Sequence, residues 1–579
     1  MLNCKLVKTL RRHTALTAVA VLAAPAAHAV EIDLGNSDFK MRWDNTVNVT
    51  SSYRVKNQSD ELTKSAVSTN AAANNTVDYG ANQDDGDRNF DPGFISQRMD
   101  LLTEFELSTW DYGARVSAAA WYDYIYNQST DHDSINTSNH SLAGLDYNRF
   151  SNPAKRQLGR DVELLDAFAW GKFDVADMPV TMRLGRHSLV YGETIFFGGN
   201  GIAEAQGPID LVKIMSSPST EFKDVLRPVE QVSGSVSLND NVSLGGYYQF
   251  KWDETKIPPA GSYFSNLDFV GPGAEHFISV PGTSGARHTA DLTPRDNGQF
   301  GMQISYMPDG SDWQFGAYGA RYHAKTPTAM YNETWFTPGG GVFVPGSYRW
   351  VYAQDIKTFG ASATTSVGQL NVAGEASVRL DAPLNSDPQS NMGIVGGAPS
   401  GTGTGDNSSN PLYAMGDTAH LNLNGIYALE PAKYWDGGSL VGEVAFNRRM
   451  NTERNLGALD PNTTENAAAL RVLFTPAYFQ VLPGLDLEVP MGLGYNFYGK
   501  SSAVANFNGG SSNAGDFSIG VKGTYQSDWE FSLNYVGYFG DAGQFLEPIS
   551  GQTNPNAQLS FKQSMKDRDF VTLNIKRSF

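Results

Sequence analysis

Val232 to Trp252, VSGSVSLNDNVSLGGYYQFKW, decides the class of fold. Val232, Val236 and Leu238 alternate with Ser233, Ser235, Ser237 and Asn239, the period of two that sends successive side chains to opposite faces of a β-strand. Asp240-Asn241 interrupts the pattern with short polar residues that tolerate left-handed backbone angles. The chain then returns through Val242, Leu244, Tyr248, Phe250 and Trp252, with Ser243, Gln249, Lys251 and Asp253 behind them. This is an antiparallel hairpin with one apolar and one polar face.

The same unit recurs. Phe300–Tyr306 turns at Pro308-Asp309-Gly310 into Trp313–Tyr322, Ile356–Val367 turns into Val372–Leu380, and Phe517–Tyr525 turns near Ser527-Asp528 into Trp529–Tyr535. Near the start, Trp43, Val47, Val49, Tyr53 and Val55 share a face, with Asp44, Thr46, Asn48, Thr50, Ser52 and Arg54 on the reverse. Between hairpins run far longer polar stretches: Asn57–Gly93, Gln128–Asp161, Pro258–Asn297, Ala382–Asp417 and Asp541–Arg568. Tight turns alternating with long loops mark the barrels of the bacterial outer membrane, whose periplasmic turns are short and extracellular loops long. Hydrocarbon cannot satisfy backbone donors and acceptors, so a sheet crosses it only when closure leaves no free edge. The expectation is an all-β chain forming a transmembrane antiparallel β-barrel of about eighteen strands, within a range of about fourteen to eighteen. A mean hydropathy of −0.34 fits, because only every second strand residue faces lipid. Phe, Trp and Tyr, 12% of the chain, suit girdles at the two membrane interfaces.

Both ends agree with this reading. Asp569–Phe579 sets Val571, Leu573, Ile575 and Phe579 on one face and Thr572, Asn574, Lys576 and Ser578 on the other, and closes on an aromatic residue as outer-membrane barrels do. Arg577, on the apolar face, departs from that pattern. At the other end Lys5, Lys8, Arg11 and Arg12, an apolar run from Ala15 to Ala24, and Ala27-His28-Ala29 have the layout of a secretory signal peptide of residues 1–29. Cleavage near Ala29 would leave residues 30–579 as one barrel domain in the outer membrane of a Gram-negative bacterium. It would remove four basic residues and no acids, taking the net charge from −18 to −22, together with Cys4, the only cysteine. No disulfide framework is therefore available. Beyond Ala29 no apolar run reaches the roughly 18 residues of a membrane helix.

Gly185–Pro228 breaks the alternation with aromatic residues, glycines and the carboxylate Glu193, and is too apolar for a fully solvated loop. Residues 188–228 are expected to fold into the barrel as a constriction or plug; an external loop packed on its neighbours is the alternative. Tyr191, Glu193, Phe196 and Phe197 are the candidate lining of a substrate pathway, joined by Glu375 and Arg379, which point inward from Val372–Leu380. Glu375 and Arg379 share a face but lie too far apart for contact along the strand, so each is expected to pair across strands. Asp85-Gly86-Asp87-Arg88-Asn89-Phe90-Asp91 spaces oxygen ligands as a calcium loop does, yet lacks the distal glutamate of an EF-hand, with Ser96 near that place, and reads as a solvated turn. Asn139-His140-Ser141 sets a hydroxyl beside a base, but in a polar loop rather than on a rigid strand. His132, His187, His276, His288, His323 and His420 show no metal-ligand spacing. The chain is thus expected to be no enzyme, with no catalytic residues, cofactor or metal, and its acidic balance argues against nucleic acid as a partner.

Several pieces together resemble a proteobacterial outer-membrane barrel family of unknown function, DUF1302. They are Asp85-Gly86-Asp87-Arg88-Asn89-Phe90, Gly192-Glu193, Pro208-Ile209-Asp210, Tyr248-Gln249-Phe250-Lys251-Trp252, Gly261-Ser262-Tyr263-Phe264-Ser265 and Pro476-Ala477-Tyr478-Phe479-Gln480-Val481-Leu482-Pro483-Gly484. The resemblance covers nearly the whole mature chain, with Tyr191 standing where the family usually has tryptophan. It implies a barrel that works with a periplasmic, lipoprotein-carrier-like partner, often beside efflux-type pumps, with some members implicated in uptake of hydrophobic compounds such as alkanes or steroids. It brings no catalytic residues. The expected function is a channel or transporter that lies among outer-membrane lipid and lipopolysaccharide and hands hydrophobic small molecules to a periplasmic partner. A general water-filled porin and a surface-interaction protein are the alternatives.

Overall fold

The computed structural model describes residues 30–32, 38–70, 75–217, 220–336, 344–387, 394–395, 398–399, 405–549 and 557–579. The signal peptide expected over residues 1–29 lies outside the described residues.

Eighteen antiparallel strands close into one barrel. In chain order they are β1 Lys40–Arg54, β2 Phe94–Ser108, β3 Tyr112–Asp123, β4 Arg160–Val175, β5 Met178–His187, β6 Val229–Ser237, β7 Val242–Gln249, β8 Gln299–Tyr306 and β9 Gln314–Tyr322. They continue as β10 Ile356–Val367, β11 Leu370–Pro383, β12 Met415–Ala428, β13 Gly437–Arg449, β14 Asn466–Leu482, β15 Leu485–Glu488 with Met491–Gly499, β16 Ala514–Tyr525, β17 Trp529–Phe539 and β18 Phe570–Ser578. Each strand pairs with the next. The seam is β18 on β1, in register from Thr46 opposite Ser578 to Arg54 opposite Phe570. Val30–Ile32 extends the sheet beside the start of β1, with Val30 opposite Trp43.

At one end the connections are tight. Ala176 and Asp177 alone join β4 to β5, both with positive φ, and Gln526 and Ser527, also at positive φ, lead with Asp528 from β16 into β17. The primed turns that these angles build match the twist of paired strands. At the other end lie all the long connections. The register places Leu101, Val162, Leu184, Ile304, Leu423, Ile519, Leu533 and Leu573 on the outer face, where they stand exposed. Each such side chain gains about 1.5–3 kcal/mol on leaving water for hydrocarbon, so this belt belongs in a membrane. Arg577 also points outward, its guanidinium 4.9 Å from the ring centre of Trp529 and 5.8 Å from that of Phe579. The charge that breaks the terminal apolar pattern thus lies over aromatic rings at the short-turn end, in the interfacial girdle.

The long loops fold together. Ala329–Phe336, Val344–Val351, Ser284–His288 and His276–Val280 form a second, four-stranded sheet beyond the barrel. Tyr79, Phe269, Phe277, Met330, Tyr348 and Leu546 make its core. The stretch read as a solvated turn belongs to this structure: Asp85, Gly86 and Asp87 are buried in a short helix, Asp85–Arg88. The cause is a pair of buried arginines. Arg54 at the end of β1 donates to Asp87 Oδ1 at 2.8 Å and to the Phe90 carbonyl at 2.8 Å, and Arg568, just before β18, reaches Asp87 Oδ2 at 3.3 Å. Gly86 is required there, since a side chain would strike the carbonyl oxygen of Ser265.

Candidate functional site

The inward face of β10 to β13 is mostly polar, and apart from bonds such as Asn422 to Glu443 Oε1 at 3.1 Å its charged groups find their partners off the wall. Ser362, Glu375, Asn422 and Ala445 stand side by side on four successive strands, and Glu443 lies opposite Asn424. The partners come from residues 193–202, in the stretch that follows β5, which lie against this wall inside the barrel. Glu375 accepts the backbone N–H of Glu193 at 2.7 Å and of Ile202 at 2.8 Å. Glu443 accepts the Thr194 hydroxyl at 2.8 Å, and its Oε2 accepts the successive N–H groups of Ile195, Phe196 and Phe197 at 3.1, 2.5 and 3.1 Å. Consecutive N–H groups converging on one oxygen form a nest, the backbone's way of holding an anion without a cation.

Amides and one arginine complete the clasp. Asn424 donates to the Glu193 carbonyl at 2.6 Å, Asn200 donates to Asn422 Oδ1 at 2.6 Å, and Asn447 donates to Asn200 Oδ1 at 3.2 Å. Arg379 donates to the carbonyls of Gly199 and Gly201 at 2.9 and 2.8 Å. Gly192, at φ +93°, and Gly201 lie so close to the Glu375 carboxylate that a Cβ at either would collide with it. From the other side Tyr247 of β7 donates to the Ala205 carbonyl at 3.2 Å, and Lys325, just past β9, is buried near Glu204. Burial brings the Lys325 ammonium down to about 8, against the pull of Glu204.

Of the sequence candidates, Tyr191 and Phe197 are buried between the segment and the wall. Tyr191 packs on Tyr247 and Tyr318, with ring centres at 5.6 and 6.4 Å, and Phe197 packs on Phe507 at 5.8 Å. Glu193 and Phe196 are half-buried, with Leu189 and Ile195. Glu375 and Arg379 correct the expectation of cross-strand pairing: neither pairs across strands. The inserted backbone presents N–H and C=O groups that have no sheet partner, and these two side chains supply what it lacks. Glu443, Asn200, Asn422, Asn424 and Asn447 escaped sequence reasoning. For the four strand residues the one signal is a polar residue at an inward position of the period, as in His420-Leu421-Asn422-Leu423-Asn424; Asn200, on the inserted segment, has none.

Among the described residues, no inserted segment bonds to the inward Asn48, Thr50 and Ser52 of β1, Glu530 of β17 or Thr572, Asn574 and Lys576 of β18. On β18, Asn574 donates to Asn48 Oδ1 at 2.7 Å and to Thr50 Oγ1 at 2.9 Å, and Thr572 bonds Ser52 at 2.9 Å. Lys576 pairs with Glu530 of β17 at 2.9 Å, and Arg115 of β3 pairs with Glu104 of β2. This is a surface of amides, hydroxyls and paired charges that bond to one another across strands.

In sequence, a family described as a protein of unknown function, DUF1302, matches residues 10–579. No curated protein matches the chain. Among solved structures, the chain is similar to OccAB4 of Acinetobacter baumannii, at 10% identity and a TM-score of 0.38 over 93% of this chain and 98% of that one. It is also similar to OccD3 (OpdP) of Pseudomonas aeruginosa, at 10% and 0.36 over 96% and 93%, and to OpdK of the same organism with vanillate, at 9% and 0.35 over 93% and 98%.

Proposed function

Because the chain belongs to the DUF1302 family, we propose that it is an outer-membrane channel that passes small hydrophobic molecules inward to a periplasmic, lipoprotein-carrier-like acceptor. The observation that carries this reading is the clasp on residues 193–202. Two inward carboxylates, Glu375 and Glu443, bind six donors of that segment and hold it as a constriction. The half-buried Leu189, Ile195 and Phe196 lie on the segment's side of the passage, and the Asn–Thr–Ser wall of β1 and β18 on the other. Such a passage suits a molecule with an apolar body and a polar end, which can slide along one wall while its polar group exchanges partners on the other. Lipopolysaccharide bars apolar solutes, so a protein route has a use. The short turns leave the far end accessible to a soluble acceptor.

Reconstitution tests this reading. Liposomes bearing the barrel are expected to admit a fluorescent sterol or long-chain probe to an internal acceptor protein faster than empty liposomes, while planar bilayers show only a small conductance. A large steady conductance without probe transfer would overturn it in favour of a water-filled porin, the reading that the polar wall of β1 and β18 favours.

A further inference from the structure

At the long-loop end, Asp84 and Asp85 of the connection after β1 meet Asp268 of the connection after β7. Their exposures are 1%, 4% and 1%, and one carboxylate oxygen of each lies within 4.8 Å of the other two. The surrounding donors account for only part of these groups. Arg88 donates to Asp84 Oδ2 at 2.5 Å, and is shared with the exposed Asp133. Asp85 meets His132 Nε2 through Oδ1 at 2.8 Å and the Asn139 N–H through Oδ2 at 3.0 Å. Asp268 accepts the Asp85 N–H through Oδ2 at 3.2 Å. Oδ1 of Asp84 and Oδ1 of Asp268 are buried without any hydrogen-bond partner. The next cation, Arg568, is committed to Asp87 and to the carbonyls of Tyr263 and Ser265. Three buried carboxyl groups therefore face one shared guanidinium and one imidazole. An orphaned buried acceptor costs about 1–3 kcal/mol, and a charged one more.

We propose that Asp84, Asp85 and Asp268 bind a structural calcium ion that ties the two connections together over the mouth of the barrel. The donors are hard oxygens. Calcium-to-oxygen distances of about 2.3–2.6 Å place ligands on opposite sides of the ion up to about 5 Å apart, which accommodates the spacing here. Magnesium demands ligands at about 2.1 Å in near-ideal octahedral geometry, a stricter requirement than calcium's flexible shell. A small polar cavity bordered by Asp85, Asn89, Asn139 and Gly261 leaves space on one side for a water ligand. His132 and Asn139 orient Asp85 from behind, as outer partners of a metal ligand do. The same short helix carries Asp87 on Arg54 and Arg568, so the ion steadies the mouth beside the β1–β18 seam.

Calorimetric titration of calcium into the full chain, in detergent and stripped with EDTA, decides this. One site per chain is expected, with magnesium bound at least about tenfold more weakly. Asp268→Asn and Asp84→Asn should each weaken calcium binding by more than about a hundredfold, while Glu61→Gln, on an exposed turn, changes nothing. A second readout needs no variant: calcium should slow proteolysis of the wild-type loops and raise its unfolding temperature. Absence of binding up to about 10⁻³ M, the range of extracellular calcium modules, would overturn the proposal. So would an Asp268→Asn chain more stable than wild type and indifferent to calcium, the result expected if the carboxyl groups share protons instead. Magnesium binding as tight as calcium would overturn the choice of ion.

Discussion

The two halves of the lumen wall are built from one pattern and satisfied in opposite ways. Along β17, β18, β1 and β2 the inward polar groups bond to one another across strands, as Asn574 does with Asn48 and Thr50 and Lys576 with Glu530. Along β10 to β13 the inward groups bond to a visiting segment, as Glu375 and Glu443 do with residues 193–202. A wall of the first kind is complete when the barrel closes. A wall of the second kind is complete only while the segment stays, because its two carboxylates are buried and water reaches them only if the segment leaves. On the proposed function, the bore of the channel is thus set by how firmly two side chains hold one stretch of backbone.

Removing Glu443 is the strongest way to break that difference. Four donors of the segment lose their acceptor in Glu443→Ala, as does Asn422 Nδ2 on the neighbouring strand. At about 1 kcal/mol net per hydrogen bond, docking of the segment loses roughly 4 kcal/mol. We expect a several-fold rise in single-channel conductance and new protease cleavage within residues 188–228, with the barrel still folded. An unchanged conductance would show that packing of Tyr191, Ile202 and Phe197, rather than the clasp, holds the segment.

Glu375→Gln sharpens the comparison with a smaller effect. The amide keeps one acceptor oxygen but turns its NH2 toward a second N–H, so one of the two bonds, to Glu193 or to Ile202, becomes a donor facing a donor. The expected loss is about 1–3 kcal/mol, seen as more frequent open-state flicker than in wild type, and less than Glu443→Ala produces.

The wall was legible in the sequence and the clasp was not. Ile356–Val367 and Phe300–Tyr306 agree with the observed strands to within a residue, because alternation is a local property written in neighbouring residues. The alternation of Val232–Trp252 predicts three residues more of strand than the hairpin has. Its alternation runs on, but pairing stops at Gln249 opposite Gln299, and Trp252 leaves the sheet to pack on Tyr352, donating through Nε1 to the Ala324 carbonyl. The inserted segment could be located by its broken period. Its partners could not, since Glu443 and Phe197 lie 246 residues apart and nothing near Glu443 announces an unsatisfied N–H. Asp87 was misread for the same reason: the arginines that bury it come from 33 residues before it and 481 after.

Asn574→Ala probes the self-satisfied wall and should have the smallest effect of the three. It deletes two donations, to Asn48 and Thr50, but both acceptors face a lumen that water reaches, so solvent replaces the lost groups. A loss of about 0.5–1 kcal/mol in stability follows, measured as a slightly lower midpoint in urea, with single-channel conductance unchanged. Deletion of a polar group therefore opens the channel only where that group's partner is the inserted segment. If Asn574→Ala raised conductance as much as Glu443→Ala, the open wall would itself be gripping the segment, and the division of the lumen into a finished half and a dependent half would be wrong.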